Sequence, residues 1–454
     1  IEYIGKSFLL PPGKRAVGVR ILDEVAETLD IGVPPAVVRT IPLNGKNNYN
    51  NQARLEKFEF PSPVELVRTN SAMGYSVASI RYYPVRYIGN GEYIFYKKVD
   101  FVFELEDYTV IKPVKMTFLG ANFREQFVRS ICDNFENIGL YPVISAVYIM
   151  DVNSNNYNIP PLPGDSPVDV VVVTDTSLVD AAHTYLDPTK YGFSARFIAV
   201  EDIYPVYDGI DNAEKLRKFL KDAYVNWGFF VLYLVGDYTH IPVEDLNATG
   251  ADGIMADNPS DLYYAVLDGE INTDGDYLFG ESLEDDIIPD VFYSRFEVRT
   301  AEEIADFAAK LEEYKFHHPA EFFSNLLFEG ASVQPTGTDY TGANKKNSII
   351  ENLSLDTIFN ITKMYSDIDV TGGDIEVSAE NFVDFLQSNA FWFINHFDHG
   401  NQINISMGSR TGGGGLTLYD IDTLENPYYP LFYSFSCDVN RLDTDNIARR
   451  WTIN

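Results

Sequence analysis

Two short apolar runs constrain this chain more than anything else in it. Phe391-Trp392-Phe393-Ile394-Asn395-His396-Phe397 leads into Asp398-His399-Gly400, and Leu431-Phe432-Tyr433-Ser434-Phe435 leads into Ser436-Cys437-Asp438. Aromatic-rich runs of this length fit buried strands of a parallel sheet. In open α/β sheets the groups that do chemistry collect just beyond the carboxyl ends of such strands. If the two strands are neighbours, His399 and Cys437 emerge side by side over one sheet edge. Cysteine attacks as the thiolate, and a nearby imidazole supplies both a base and a stabilising cation. The plainer alternative is a core cysteine and an incidental loop histidine. The coincidence of two strand ends, with a glycine directly after the histidine, favours the catalytic pair. His396 is a rival base.

At these residues the chain resembles the gingipain family of cysteine peptidases (peptidase family C25, clan CD), which has a caspase-like fold. The family carries an apolar strand, an Asn, then Gly-His-Gly, matched here by Asn395 and His399-Gly400. A second apolar strand ends in the nucleophile, matched by Cys437. The resemblance implies His399 as general base, Cys437 as nucleophile, and the N–H groups of Gly400 and Cys437 as the oxyanion hole. Such a hole needs donors aimed where charge develops, and glycine lets the backbone come close. One departure is Asp398, which replaces the first glycine of the motif. For the third group that orients the imidazole, Glu329 is the nearest acid after the strand Leu326-Leu327-Phe328, although strict alignment places the family's acid nearer Ser332. Known members cut after Arg or Lys with a carboxylate at the base of the primary pocket. In the corresponding loop, Gln334 to Asn344, the only acid is Asp339, so a basic P1 preference is expected there.

The pattern along the chain agrees with that resemblance. Residues 1–150 read as mainly β: Asn90-Gly91 is a hairpin signal, and Val99, Phe101, Phe103 and Leu105 alternate with charged residues. A β-sandwich is expected. Residues 151–167 form a linker, polar and proline-rich from Asn153 to Gly164. From Val168 strands alternate with helices, the mark of a parallel sheet. Val168–Val173, Phe197–Val200 and Phe229–Val235 are strand runs, and Leu216, Phe219, Leu220 and Ala223 recur at helical spacing. The resemblance then implies that residues 168–321 are a first, non-catalytic α/β half carrying the calcium loop and 322–454 the catalytic half. Between them, Thr300 and Glu303 form a capping box for a helix ending near His317-His318-Pro319. The fold expected is therefore an α/β caspase-like catalytic domain of two parallel-sheet halves, preceded by a mainly-β, sandwich-like N-terminal region. By the resemblance, that region is a pro-domain that inhibits the enzyme, and the chain is a secreted zymogen.

The loop Glu270-Ile271-Asn272-Thr273-Asp274-Gly275-Asp276-Tyr277-Leu278-Phe279-Gly280-Glu281 fits the twelve-residue calcium pattern, with Glu at its first position. Ca²⁺ takes six to eight oxygens, and ligands from Glu270, Asn272, Asp274, Asp276 and Glu281 would wrap it, with Gly275 at the sharp turn. A solvated acidic turn is the alternative.

The chain of 454 residues carries a net charge of −33. That field repels nucleic acid and anionic membranes and suits basic substrates, calcium or saline surroundings. Its two cysteines, Cys132 and Cys437, provide no disulfide framework, and no apolar run is long enough to span a membrane. The family continues beyond the helix after the catalytic Cys, so a C-terminal cleavage fragment is expected to stay bound as a second chain. Three activities fit this pattern: a cysteine endopeptidase, a sortase-like transpeptidase on the same scaffold, and a catalytically silent binding protein.

Overall fold

The computed structural model describes residues 3–31, 62–89, 91–109, 111–142, 144–147, 166–249, 255–276, 278–281, 285–332, 341–408, 414–426 and 428–454. The proposed linker from Asn153 to Gly164 lies outside them. The residues form two compact units. One comprises Ile1–Val173, Pro188–Leu234 and Val243–Arg295; the other comprises Thr174–Asp187, Val235–Pro242 and Phe296–Asn454.

The first unit begins with two antiparallel three-stranded sheets. One has the order Ile4–Leu9, Tyr75–Tyr82, Val64–Ala72; the other Lys14–Asp30, Glu92–Asp107, Val85–Gly89. Phe8 of the first meets Phe101 and Phe103 of the second edge-on, with ring centroids 5.8 and 5.6 Å apart. Leu10, Ala16 and Ala78 are buried beside them, which gives the expected sandwich-like core. Leu105 lies outside that core and is exposed. The same unit holds a four-stranded sheet in the order Ala195–Ala199, Val170–Thr174, Val231–Val235, Phe292–Phe296. Val231–Leu234 pairs with Val170–Val173 in parallel, and every residue from Val170 to Thr174 is buried. Such two-sided burial is why this run is unbroken Val rather than alternating. The helix Asn212–Trp227 covers the sheet with Leu216, Phe219, Leu220 and Ala223 buried, as their spacing predicts.

The second unit carries the helix Ala301–Phe316. Thr300 caps it, accepting from the Glu303 N–H at 3.2 Å. Glu303 reaches back one residue further than a capping box requires, to the Arg299 N–H at 2.6 Å, and its carboxylate also takes Arg449. His317 caps the helix end and His318 stacks on Phe322 with centroids 4.5 Å apart, so the adjacent histidines have structural work.

The catalytic-half sheet follows, in the order Ile375–Glu376, Asn360–Tyr365, Asn325–Gly330, Phe393–Phe397, Leu431–Phe435. All four neighbouring pairs are parallel. Period-two alternation splits its apolar residues between two faces. Leu327, Met364 and Ile394 pack on one side with Phe382 and Leu386 of the helix Ala379–Ser388. Leu326, Phe328 and Tyr365 pack on the other with Ala343 and Ile350 of the helix Thr341–Asn352. The parallel sheet covered by helices and the antiparallel N-terminal region are the caspase-like arrangement that the sequence predicts. The Cys strand is outermost, and Leu431, Tyr433 and Phe435 are each more than half exposed, at 55%, 54% and 62%.

The Gly236-Asp237 turn shows how loops are fixed at a sheet's carboxyl end. Asp237 is fully buried and accepts from the Thr239 N–H at 2.9 Å, the Thr239 hydroxyl at 2.6 Å, His240 at 3.1 Å and Arg299. Burial pushes its carboxyl up, but these hydrogen bonds outweigh that and hold it at about 2. Breaking a buried, charge-paired carboxylate costs about 3 kcal/mol. Asp237→Ala is therefore expected to lower the stability of the second unit by about that much. The stabilisation exists above the unfolded value of 3.8 and disappears as pH falls through about 2. Denaturant melts of both proteins at pH 7 and pH 2 should thus differ widely at the first pH and converge at the second.

Candidate active site

The histidine strand, Phe393–Phe397, and the cysteine strand, Leu431–Phe435, are hydrogen-bonded neighbours, with Phe393 opposite Leu431 and Phe397 opposite Phe435. The two terminal rings stack, centroids 5.3 Å apart and planes 5° from parallel. Two residues beyond that last pair stand His399 and Cys437, both exposed. Cys437 is a free thiol, whereas Cys132 is buried and its thiol is pushed up to about 11 by burial. The exposed cysteine is thus the one just beyond the sheet edge.

Around this pair the backbone is closely fitted. The Ser436 hydroxyl donates to the carbonyls of Asp398 at 2.9 Å and His399 at 3.2 Å, tying the two loops together. The Ser406 N–H also reaches the His399 carbonyl, at 3.0 Å. A Cβ on Gly400 would lie 2.5 Å from Val439 Cγ1 and 3.2 Å from the Cys437 carbonyl, so the chain after the histidine runs hard against the chain after the cysteine. Asp438, directly after Cys437, has φ of 52°, a left-handed conformation uncommon for a non-glycine residue. Such outliers persist only where the surroundings enforce them, and they cluster at active sites.

Asp398 stands where the family motif has glycine, and the structure shows what it does. Its buried carboxylate accepts from the His399 N–H at 2.6 Å and the Gly408 N–H at 2.7 Å, closing the loop that carries the histidine. Burial pushes this carboxyl above its ordinary value, partly offset by those two bonds. Asn395 accepts from the buried ammonium of Lys346, which also sits over the Phe397 ring at 5.8 Å. Burial lowers the Lys346 ammonium to about 8.

Glu329 is placed differently from the sequence expectation. It is fully buried, its Oε2 accepts the Phe397 N–H at 2.9 Å, and the same oxygen lies 3.5 Å from Nε2 of His396. It therefore serves the strand and the neighbouring imidazole, which corrects its reading as the group that orients His399. The cause is register: Phe328 pairs with Asn395, so the next residue is carried beneath His396 and Phe397. Burial, reinforced by Asp398, drives the Glu329 carboxyl far above the ordinary range. Asp339 lies outside the described residues. The His396 environment was not signalled in the sequence beyond its alternation with Ile394 and Asp398.

In the acidic loop, Asp274, Asp276 and Glu281 each offer a carboxylate oxygen, all within 4.8 Å of one another. Gly275 makes the sharp turn with φ of 79°. Asn272 Oδ1 accepts the Gly275 N–H at 2.9 Å, within reach of the same loop. Glu270 stands apart from the three converging carboxylates, 3.5 Å from Lys221, which draws it away by charge. Among the described residues, no helix is long and apolar enough to cross a membrane.

The sequence description of Peptidase family C25 matches residues 164–454. No curated protein matches. Among solved structures, the crystal structure of the Arg-specific cysteine proteinase gingipain R is 18% identical with a TM-score of 0.45, covering 65% of this chain and 61% of that one. The complex of pro- and mature domains of RgpB from Porphyromonas gingivalis is 19% identical with a TM-score of 0.44, covering 63% and 60%. The chain thus spans about three fifths of the length of these solved chains.

The tight fit at Gly400 is directly testable. In Gly400→Ala the new methyl must displace Val439 or the Cys437 carbonyl, and misplacements of this kind cost about 10- to 100-fold in rate. Adding Val439→Ala should return part of the loss. Turnover of fluorescein-labelled casein by the three proteins checks this; full activity in Gly400→Ala alone would mean the loop has room to spare.

Proposed function

We propose, from the premise that this chain belongs to peptidase family C25, that it is a cysteine endopeptidase. The observation that supports the reading is the in-register parallel pairing of Phe393–Phe397 with Leu431–Phe435, because His399 and Cys437 each follow two residues after its last pair. His399 takes the thiol proton, and the Cys437 thiolate attacks the carbonyl carbon of the scissile peptide bond. The oxygen that becomes negative is received by the N–H groups of Gly400 and Cys437. Collapse expels the amine, which takes its proton from the imidazolium, and leaves a thioester. Water, deprotonated by the same imidazole, then releases the acid. No metal takes part in these steps.

The net charge of −33 supports a substrate with basic side chains, since such a field raises the local concentration of cations. A basic residue at P1, met by Asp339, is the matching specificity. The β-rich N-terminal region acts as an inhibitory pro-domain of a secreted zymogen. The exposed apolar residues of the cysteine strand suit a bound C-terminal cleavage fragment. Calcium, held by Asp274, Asp276 and Glu281 with Asn272 as a further oxygen, pins the acidic loop.

Three measurements test this reading. Cys437→Ala should abolish casein hydrolysis and His399→Ala should reduce it by about 10³-fold or more, whereas the native protein's cleavage of a peptide library should report the P1 side chain. Undiminished hydrolysis by Cys437→Ala would end the proposal. Calorimetric titration of chelator-treated protein with Ca²⁺ should give one binding event and a higher melting temperature, and neither should occur in Asp276→Asn/Glu281→Gln. Finally, purified cleaved and uncleaved chains should differ in specific activity, and equality would remove the zymogen.

A further inference from the structure

His396 has no role in the chemistry just described, yet it is the fully buried imidazole beneath the reactive pair. Its two ring nitrogens have partners on two different strands. Nε2 lies 3.0 Å from the Ser406 carbonyl, and Nδ1 lies 2.9 Å from the Ser434 hydroxyl. A carbonyl can only accept, so Nε2 carries the hydrogen; Nδ1 is then the acceptor and Ser434 donates. In the neutral ring these two bonds fix one tautomer. Burial holds it there, lowering its pKa to about 4 despite the bond to Ser406.

The positions of its partners give this arrangement its meaning. His396 is three residues before His399, and Ser434 is three residues before Cys437. The two residues are directly opposite in the register of the strands. Ser406 belongs to the strand Asn404–Ser406, which pairs with Gly400-Asn401, the segment that follows the base. One ring therefore connects the strand of the nucleophile, the strand of the base and the return strand behind Gly400. Glu329 adds a fourth strand from below, with Oε2 3.5 Å from Nε2 and bonded to the Phe397 N–H. The other ionisable groups that act on this cluster are Lys346 and Asp398.

We propose that His396, with Ser434 as its partner, is a positioning residue: a neutral cross-strand pin that sets Cys437 against His399 and is not itself the base. The inference rests on the cysteine-peptidase reading above. Backbone hydrogen bonds alone hold the two strands at their ordinary spacing but leave the strand ends free to splay. A side-chain bond three residues below the reacting atoms removes that freedom, in the way that supporting shells hold catalytic groups to a fraction of an ångström. Burial keeps the imidazole neutral above its lowered pKa of about 4, so the pin keeps the same strength there.

The test uses the full chain, with fluorescein-labelled casein as substrate and iodoacetamide as the thiol probe. Ser434→Ala, a small change at a half-buried position, should slow turnover at saturating casein and alkylation of Cys437 by about tenfold each. The half-saturating casein concentration should stay within about twofold, and Ser434→Thr should restore most of the rate because it keeps the hydroxyl. His396→Gln, which keeps a donor towards Ser406, should also slow turnover while the acid limb of its pH–rate profile stays where the native enzyme has it. Ser434→Ala turning over and alkylating at the native rate would overturn the pin. Loss of the acid limb in His396→Gln would overturn it too, by making His396 the base. Native Cys437 alkylated no faster than a free thiol would instead defeat the peptidase reading, and the pin with it.

Discussion

The parallel ladder between Phe393–Phe397 and Leu431–Phe435 is the interaction on which the site depends. A shift of one residue in its register would send Cys437 to the opposite face from His399 and move Phe432 out of the core it shares with Phe382 and Trp451. The core therefore enforces the register, and the register places the chemistry. Phe397 stacked on Phe435 closes the ladder at its carboxyl end, one step below the reactive pair. The cost of putting the cysteine strand at the sheet's edge is an exposed apolar stripe, since its outward residues lack a covering layer.

Much of this architecture was legible in the sequence, for reasons that can be named residue by residue. Val170–Val173 reads as a buried strand because only a strand covered on both faces tolerates unbroken β-branched residues. Leu216, Phe219, Leu220 and Ala223 read as a helix because their spacing matches its turn, and Thr300 marks a helix start because it caps it. The pairing of two distant strands was legible only because each ends in a reactive residue. What remained hidden were side chains whose partners are far away in sequence. Nothing local says that Glu329 lies beneath His396, 67 positions later, or that Glu303 prefers Arg299 and Arg449 to its own cap.

The polar groups beneath the sheet's carboxyl edge are costly and therefore informative. Glu329, His396 and Lys346 are all but fully buried, and among the described residues Oε1 of Glu329 has no hydrogen-bond partner. Removing such groups from water costs several kcal/mol unless they lose their charge or find partners. The shifts run in that sense: Glu329 moves up, while His396 and Lys346 move down, so each is driven towards its neutral form. An apolar core of the same volume would pack with fewer penalties. Polar groups retained there are suited to directional work, which is what holding strand ends in register requires.

Asp398 shows the same logic at the surface of the site. Glycine at this position in the family motif would give the loop freedom to turn, whereas a side chain must fit the turn it is given. Here the side chain replaces freedom with two bonds, one to the residue it precedes and one to Gly408, ten positions on. The carboxylate thereby satisfies two backbone donors at either end of the segment that pairs Gly400-Asn401 with Asn404-Ile405. The departure from the motif is thus compensated within the same loop. His399 is held from three directions: Asp398 at its own N–H, Ser406 and Ser436 at its carbonyl, and, through the strand that carries it, the imidazole of His396.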